Sequence, residues 1–118
     1  SVKQWALEGK EMKYGTDVTA APGGEKSYTA IIDTGSSNIG IPDEMFKSLK
    51  EKWGHDVGSG LDCVTDDNFC QVMTPCTDIA KKLKPVSFSI GGQTFEMAAE
   101  LYLHQAEGTR CQFAIHSN

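Results

Sequence analysis

Asp33, Thr34, Gly35 and Ser36 form the segment of this sequence best suited to chemistry. They follow the apolar run Ala30-Ile31-Ile32, and Ser37, Ile39, Ile41 and Pro42 come after them. A carboxylate at the exit of a buried run is partly withdrawn from water. Thr34 and Ser36 set hydroxyls beside it. Gly35 lets the backbone fold tightly and turn N–H groups toward the carboxylate. Such a turn orients one acid and leaves room for a second carboxylate to share a proton with it. Two carboxylates held close cannot both ionise, so one becomes a base and the other an acid. A pair of that kind can activate water against a peptide carbonyl. A plainer reading stands beside this one: Asp33 caps a β-turn, as Asp does at many turns.

Other chemistries have less support. His55, His104 and His116 are scattered and are expected on loops or at the surface. Ser36 lacks the Gly-x-Ser-x-Gly frame of a nucleophile elbow. Asp62, Asp66 and Asp67 lack the spacing and closing Glu of a calcium loop, so a solvated acidic loop is expected there. The cysteines Cys63, Cys70, Cys76 and Cys111 do not show the paired spacing of a zinc site. An even set of four favours two disulfides and an oxidising compartment, with three pairings open. Trp5 and Trp53 are expected in the core. No metal and no cofactor is implied.

These residues need elements to hold them. The chain has 118 residues, 16 acidic and 11 basic, for a net charge of -5, so one domain with a real core is expected. The acidic balance argues against a nucleic-acid partner, because that affinity comes mainly from Lys and Arg. Lys81, Lys82 and Lys84 read as cations at a helix end. No apolar run approaches the ~20 residues of a membrane helix. Strands are predicted over Val2–Leu7, Lys10–Ala20 (broken at Gly15) and Tyr28–Ile32, with an extended stretch over Asn38–Ile41. A helix opens at Pro42-Asp43 with Met45, Phe46, Leu49 and Trp53 on one face and stops at Gly54. Leu61–Met73 has no period. Thr74-Pro75 reads as a cap and first helical position, with Ile79 and Leu83 on the buried side. Val86–Ile90, Gly91-Gly92 and Thr94–Met97 read as a hairpin. Two more strands are expected, over Glu100–Gln105 and Cys111–Ile115. The sum is mostly β with two short helices.

The Asp33 segment resembles the active-site motif of the pepsin-like aspartic proteases, a two-lobed family in which each lobe gives one Asp-Thr-Gly turn to a shared site. The surroundings resemble the carboxy-terminal lobe: Trp5-Ala6-Leu7 at the start, Ile41-Pro42 and an amphipathic helix after the turn. Later come Cys76, Leu83-Lys84-Pro85, Val86-Ser87-Phe88-Ser89-Ile90-Gly91-Gly92, Phe95, Tyr102 and Cys111. The resemblance spans nearly the whole chain. It implies one lobe of that bilobal fold over residues 1–118, with a double-psi type sheet, and a lobe incomplete at its C-terminal end.

The resemblance further implies an aspartic endopeptidase, with Asp33 as the catalytic aspartate of this lobe. Thr34, Gly35 and Ser36 would support it, and Ser37, Ile39 and Ile41 would lie near substrate. It pairs Cys76 with Cys111, which leaves Cys63 with Cys70. The expected partners are a peptide or protein substrate and an amino-terminal lobe on another chain or a segment absent here, with no nucleic acid and no membrane. The isolated chain is expected to be inactive, because it holds one Asp-Thr-Gly and not two. Secreted, lysosomal or vacuolar siting follows from the cysteines and the family together. Two alternatives are a non-catalytic binding or structural protein on the same scaffold, and a homodimeric retroviral-type protease in which two copies each donate one Asp.

Overall fold

The computed structural model describes residues 4–33, 38–63 and 69–118. Within these residues the chain is mostly β. One sheet holds β1 (Gln4–Tyr14), β2 (Asp17–Ala20), β3 (Tyr28–Asp33), β4 (Asn38–Ile41), β7 (Val86–Ile90), β8 (Gln93–Met97) and β11 (Ile115–Ser117). Its order is β11-β4-β3-β1-β7-β8, with β2 beside β1. A second sheet, in the order β5-β6-β10-β9, holds β5 (Asp62–Cys63), β6 (Cys70–Val72), β10 (Cys111–Phe113) and β9 (Leu103–Gln105). The helices are α1 (Asp43–Val57) and α2 (Cys76–Ala80).

Several elements differ from expectation. The two predicted N-terminal strands merge from Gln4 to Tyr14 into β1, which pairs with β3, β2 and β7. Gly9 does not break the strand: a Cβ there would fall 2.5 Å from Cζ of Tyr28, so the missing side chain makes room for that ring. The helix after Pro42 buries Met45, Phe46, Leu49 and Trp53, as the spacing predicts. It does not stop at Gly54 but runs to Val57. A helical glycine costs about 1 kcal/mol, and Val57 offsets this by packing on the core. Thr74 does not cap α2; the Cys76 N–H is instead bonded to Oε1 of Gln105 at 2.8 Å. The Val86–Met97 hairpin forms around Gly91 and Gly92.

The predicted strand over Glu100–Gln105 is reduced to β9, because Ala99–Leu101 forms a 3-10 turn. The predicted strand over Cys111–Ile115 is two strands in different sheets, β10 and β11. Ala114 makes the crossing. Its N–H donates to the carbonyl of Tyr102 at 2.8 Å, and its own carbonyl accepts the N–H of Ile39 at 2.9 Å.

The core lies between α1 and the sheets. Trp53 is fully buried, with ring centroids 4.4 Å from Phe113, 5.7 Å from Tyr102 and 6.1 Å from Phe46. Disulfides join Cys63 to Cys70 across β5 and β6, and Cys76 to Cys111, fastening the start of α2 to β10.

Candidate active site

Asp33 ends β3, the strand between β1 and β4 in the larger sheet. Its Cα partners are Gln4 on β1 and Asn38 on β4. Paired residues share a sheet face and alternate along each strand. One face of this region therefore carries the row Trp5, Ile32, Ile39, Ile115. The other carries Ala6, Ile31, Gly40, His116, and beside that row Gln4, Asp33 and Asn38. Asp33 thus stands half-buried at the polar end of an apolar strand, as the sequence pattern requires. Thr34, Gly35, Ser36 and Ser37, which link β3 to β4 in sequence, lie outside the described residues.

Ile39 is half-buried against the core and Ile41 is fully buried within it. Gly40 between them sits under close neighbours. A Cβ there would fall 2.9 Å from Oδ1 of Asn118 and 3.2 Å from Cε1 of His116. The main chain of β4 is therefore approached directly by side chains from β11 and the residue after it.

β11 runs parallel to β4 and is pinned at both ends. Ile39 is held through Ala114, and the Asn118 N–H donates to the Ile41 carbonyl at 2.8 Å. Buried Ser117 donates from Oγ to Oδ1 of Asp43, 3.0 Å away at the start of α1. That hydrogen bond, and then the ammonium of Lys47 at 3.2 Å, hold the Asp43 carboxyl below its ordinary range. The helix start, β11 and β4 form one unit behind the Asp33 strand pair.

His104 and His116, expected on loops or at the surface, instead line a cavity where the two sheets meet. No signal in the sequence could bring them together, since they lie on strands of different sheets joined through the Ala114 crossing. Among the described residues, no group of three or more His, Cys, Asp or Glu is placed to hold a metal ion. No described helix is long and apolar enough to cross a membrane.

Comparison with known proteins gives the family of the chain. The family model for eukaryotic aspartyl proteases matches residues 1–118. Rhizopuspepsin-1 of Rhizopus niveus is 27% identical over 108 residues, 91% of this chain and 23% of the relative. Rhizopuspepsin-3 and Rhizopuspepsin-2 of the same organism are 28% and 29% identical, each over 72% of this chain and 19% of their own length. The chain thus spans about a fifth to a quarter of the curated relatives it matches. It belongs to the eukaryotic aspartyl protease family.

Proposed function

We propose that this member of the eukaryotic aspartyl protease family is part of a carboxy-terminal lobe and supplies one of two aspartates to a peptide-hydrolysing site. The observation that carries the reading is the position of Asp33: a half-buried carboxylate ending a central strand, directly followed in sequence by Thr34, Gly35 and Ser36. Thr34 and Ser36 supply orienting hydroxyls and Gly35 the tight turn. The second aspartate comes from an amino-terminal lobe on another chain or another segment.

The chemistry follows from two carboxyl groups held close. They share one proton, because both cannot ionise together; this is the property of aspartic proteases as a class. The ionised member takes a proton from water while the protonated member donates to the carbonyl oxygen of the peptide bond. The resulting tetrahedral diol collapses, and the amine leaves with a proton from the pair. Activity is expected at acid pH, where one carboxyl remains protonated. The isolated chain, with one catalytic aspartate, is inactive in this reading. Ser37 remains a candidate substrate contact. Ile39 lies on the sheet face opposite Asp33 and packs on the core, and Ile41 is fully buried, so neither is proposed to touch substrate. Two disulfides suit an oxidising compartment, whether secreted, lysosomal or vacuolar.

Native mass spectrometry of non-reduced protein, paired with a peptide-cleavage assay at acid pH, tests this. The reading expects activity only where a second Asp-Thr-Gly segment accompanies this chain. A homodimer of this chain that cleaves peptides would overturn the two-lobe assignment, and an inactive assembly holding both segments would overturn the protease assignment.

A further inference from the structure

The order of the larger sheet ends at β8 on one side and β11 on the other. Of the strands that end the two sheet orders, β8 is the longest: it has five residues, β11 and β9 three each and β5 two. An open edge is a template for another strand, and proteins commonly guard it with Pro, Lys or a bulge. β8 has none of these. It reads Gln93, Thr94, Phe95, Glu96, Met97, and all five residues pair with β7 in unbroken register. Its one charge is Glu96.

The turn decides which backbone groups face outward. Gly91 and Gly92, with φ of 60° and 79°, form a two-residue primed turn between Ile90 and Gln93. Such a turn is closed by a hydrogen-bonded pair, and bonded and non-bonded pairs then alternate along the ladder. Gln93, Phe95 and Met97 therefore direct their N–H and C=O groups to β7. Those of Thr94 and Glu96 point out of the sheet. Phe95 shares a row with Phe88 and Met12, both buried in the core, and Met97 on the same face packs against that core. Phe95 itself is 51% exposed, because among the described residues no strand lies beyond it.

A second β8 fits this edge in one register. With the two strands antiparallel about a twofold axis at Phe95, Thr94 of each copy stands opposite Glu96 of the other. Both pairs exchange N–H···O=C bonds, so every outward group of both strands finds a partner. The two Phe95 rings meet at the non-bonded position between, where side chains approach most closely. An axis at Glu96 sets two carboxylates opposite each other and leaves one bonded pair in place of two. An axis at Thr94 also leaves one, with Glu96 opposite Gly92 in the turn. The edge is complementary to itself in charge and in hydrogen bonding.

We propose that β8 is a self-association surface, at which two copies of this chain pair antiparallel about Phe95 and join their larger sheets. The contact is smaller than the about 1,200–2,000 Å² of stable interfaces, so the dimer is weak and reversible, with Kd on the order of 10–100 µM. The net charge of -5 on each copy opposes it at long range. β3 lies three strands from β8. Across the strands, the two Asp33 residues are therefore about seven strand spacings, or about 33 Å, apart. This dimer forms no shared aspartate pair, and it does not rest on the protease reading above.

The test is amide hydrogen exchange on the unaltered, non-reduced protein, read by NMR at about 20 µM and about 1 mM, with sedimentation equilibrium over the same range. Sedimentation should show dimer at the higher concentration. There the Thr94 and Glu96 amides should exchange at least about threefold more slowly, while those of Gln93, Phe95 and Met97 change by less than about 1.5-fold. Thr94→Lys should tighten the dimer about fivefold and Thr94→Glu weaken it about fivefold, because the new charge meets Glu96 of the other copy twice. A monomer at about 1 mM, or a dimer without selective protection of Thr94 and Glu96, would overturn the proposal. Protection of those two amides in a monomer would assign the edge to another segment of the chain and would overturn it too. So would two Thr94 variants that shift the dimer in the same direction. The concentration series uses the unaltered protein, so its result stands even if a variant fails to fold.

Discussion

Tyr14 to Phe removes one hydroxyl and should expose how the end of α1 is fastened to the sheet. Tyr14 is buried at the end of β1 and donates from its hydroxyl to Oδ2 of Asp56 at 2.5 Å. The Tyr14 hydroxyl oxygen in turn accepts the backbone N–H of Lys84 at 3.1 Å. Burial pushes the Asp56 carboxyl up. The Tyr14 hydrogen bond, contact with His55 and the charge of Lys84 outweigh that and hold it below its ordinary value. A hydrogen bond to a charged group is worth about 1.5–3 kcal/mol. With about 2.1 cal/mol/K of unfolding entropy per residue, a loss of about 2 kcal/mol lowers Tm by about 8 °C in a chain of this length. The sign of the pH dependence follows from the lowered carboxyl. Its stabilisation is present above the unfolded value of about 3.8 and is lost as the pH falls through the lower folded value. Urea unfolding of both proteins from pH 7 down to pH 3 reads this. The gap should be widest at neutral pH and narrow below about pH 3.8. A loss under about 0.5 kcal/mol at neutral pH, or a gap that does not narrow in acid, would refute the reasoning.

Other outcomes follow from the same structure. Replacing Cys76 and Cys111 together by Ala should cost about 3.8 kcal/mol, and replacing Cys63 and Cys70 about 2.4 kcal/mol, because the first pair closes the longer loop; denaturant midpoints of the two double variants give the order. Gly40→Ala should cost about 1 kcal/mol and move the His116 ring resonance, since the new methyl meets Asn118 and His116. Ser117→Ala should return the Asp43 carboxyl toward its ordinary value, measurable by NMR titration, and with it remove stability that is present above that value and fades in acid.

Much of the scaffold was legible because its signals are local. The spacing of Met45, Phe46, Leu49 and Trp53 marks a buried helical face, and Gly91-Gly92 marks a hairpin. The features that escaped depend on distant partners. Val2–Leu7 and Lys10–Ala20 read as separate strands until the Tyr28 ring is seen above Gly9. Gly54 reads as a stop until Val57 is seen to reach the core. Cys111–Ile115 reads as one strand until Ala114 is seen tying Tyr102 to Ile39. For the candidate site, position of Asp33 at a strand exit follows from the apolar run before it. The disulfide pairing came with the family resemblance and not from spacing. The histidine-lined cavity had no signal at all, because its residues converge only through the crossing between sheets.

The most direct measurement is peptide hydrolysis by the full-length protein at acid pH, with and without Asp33→Asn. If Asp33 is half of the water-activating pair, the substitution should lower kcat by at least about a thousandfold while the protein stays folded and still binds peptide. Retention of activity within about tenfold would contradict the account, because no other residue in this chain is proposed to take that role.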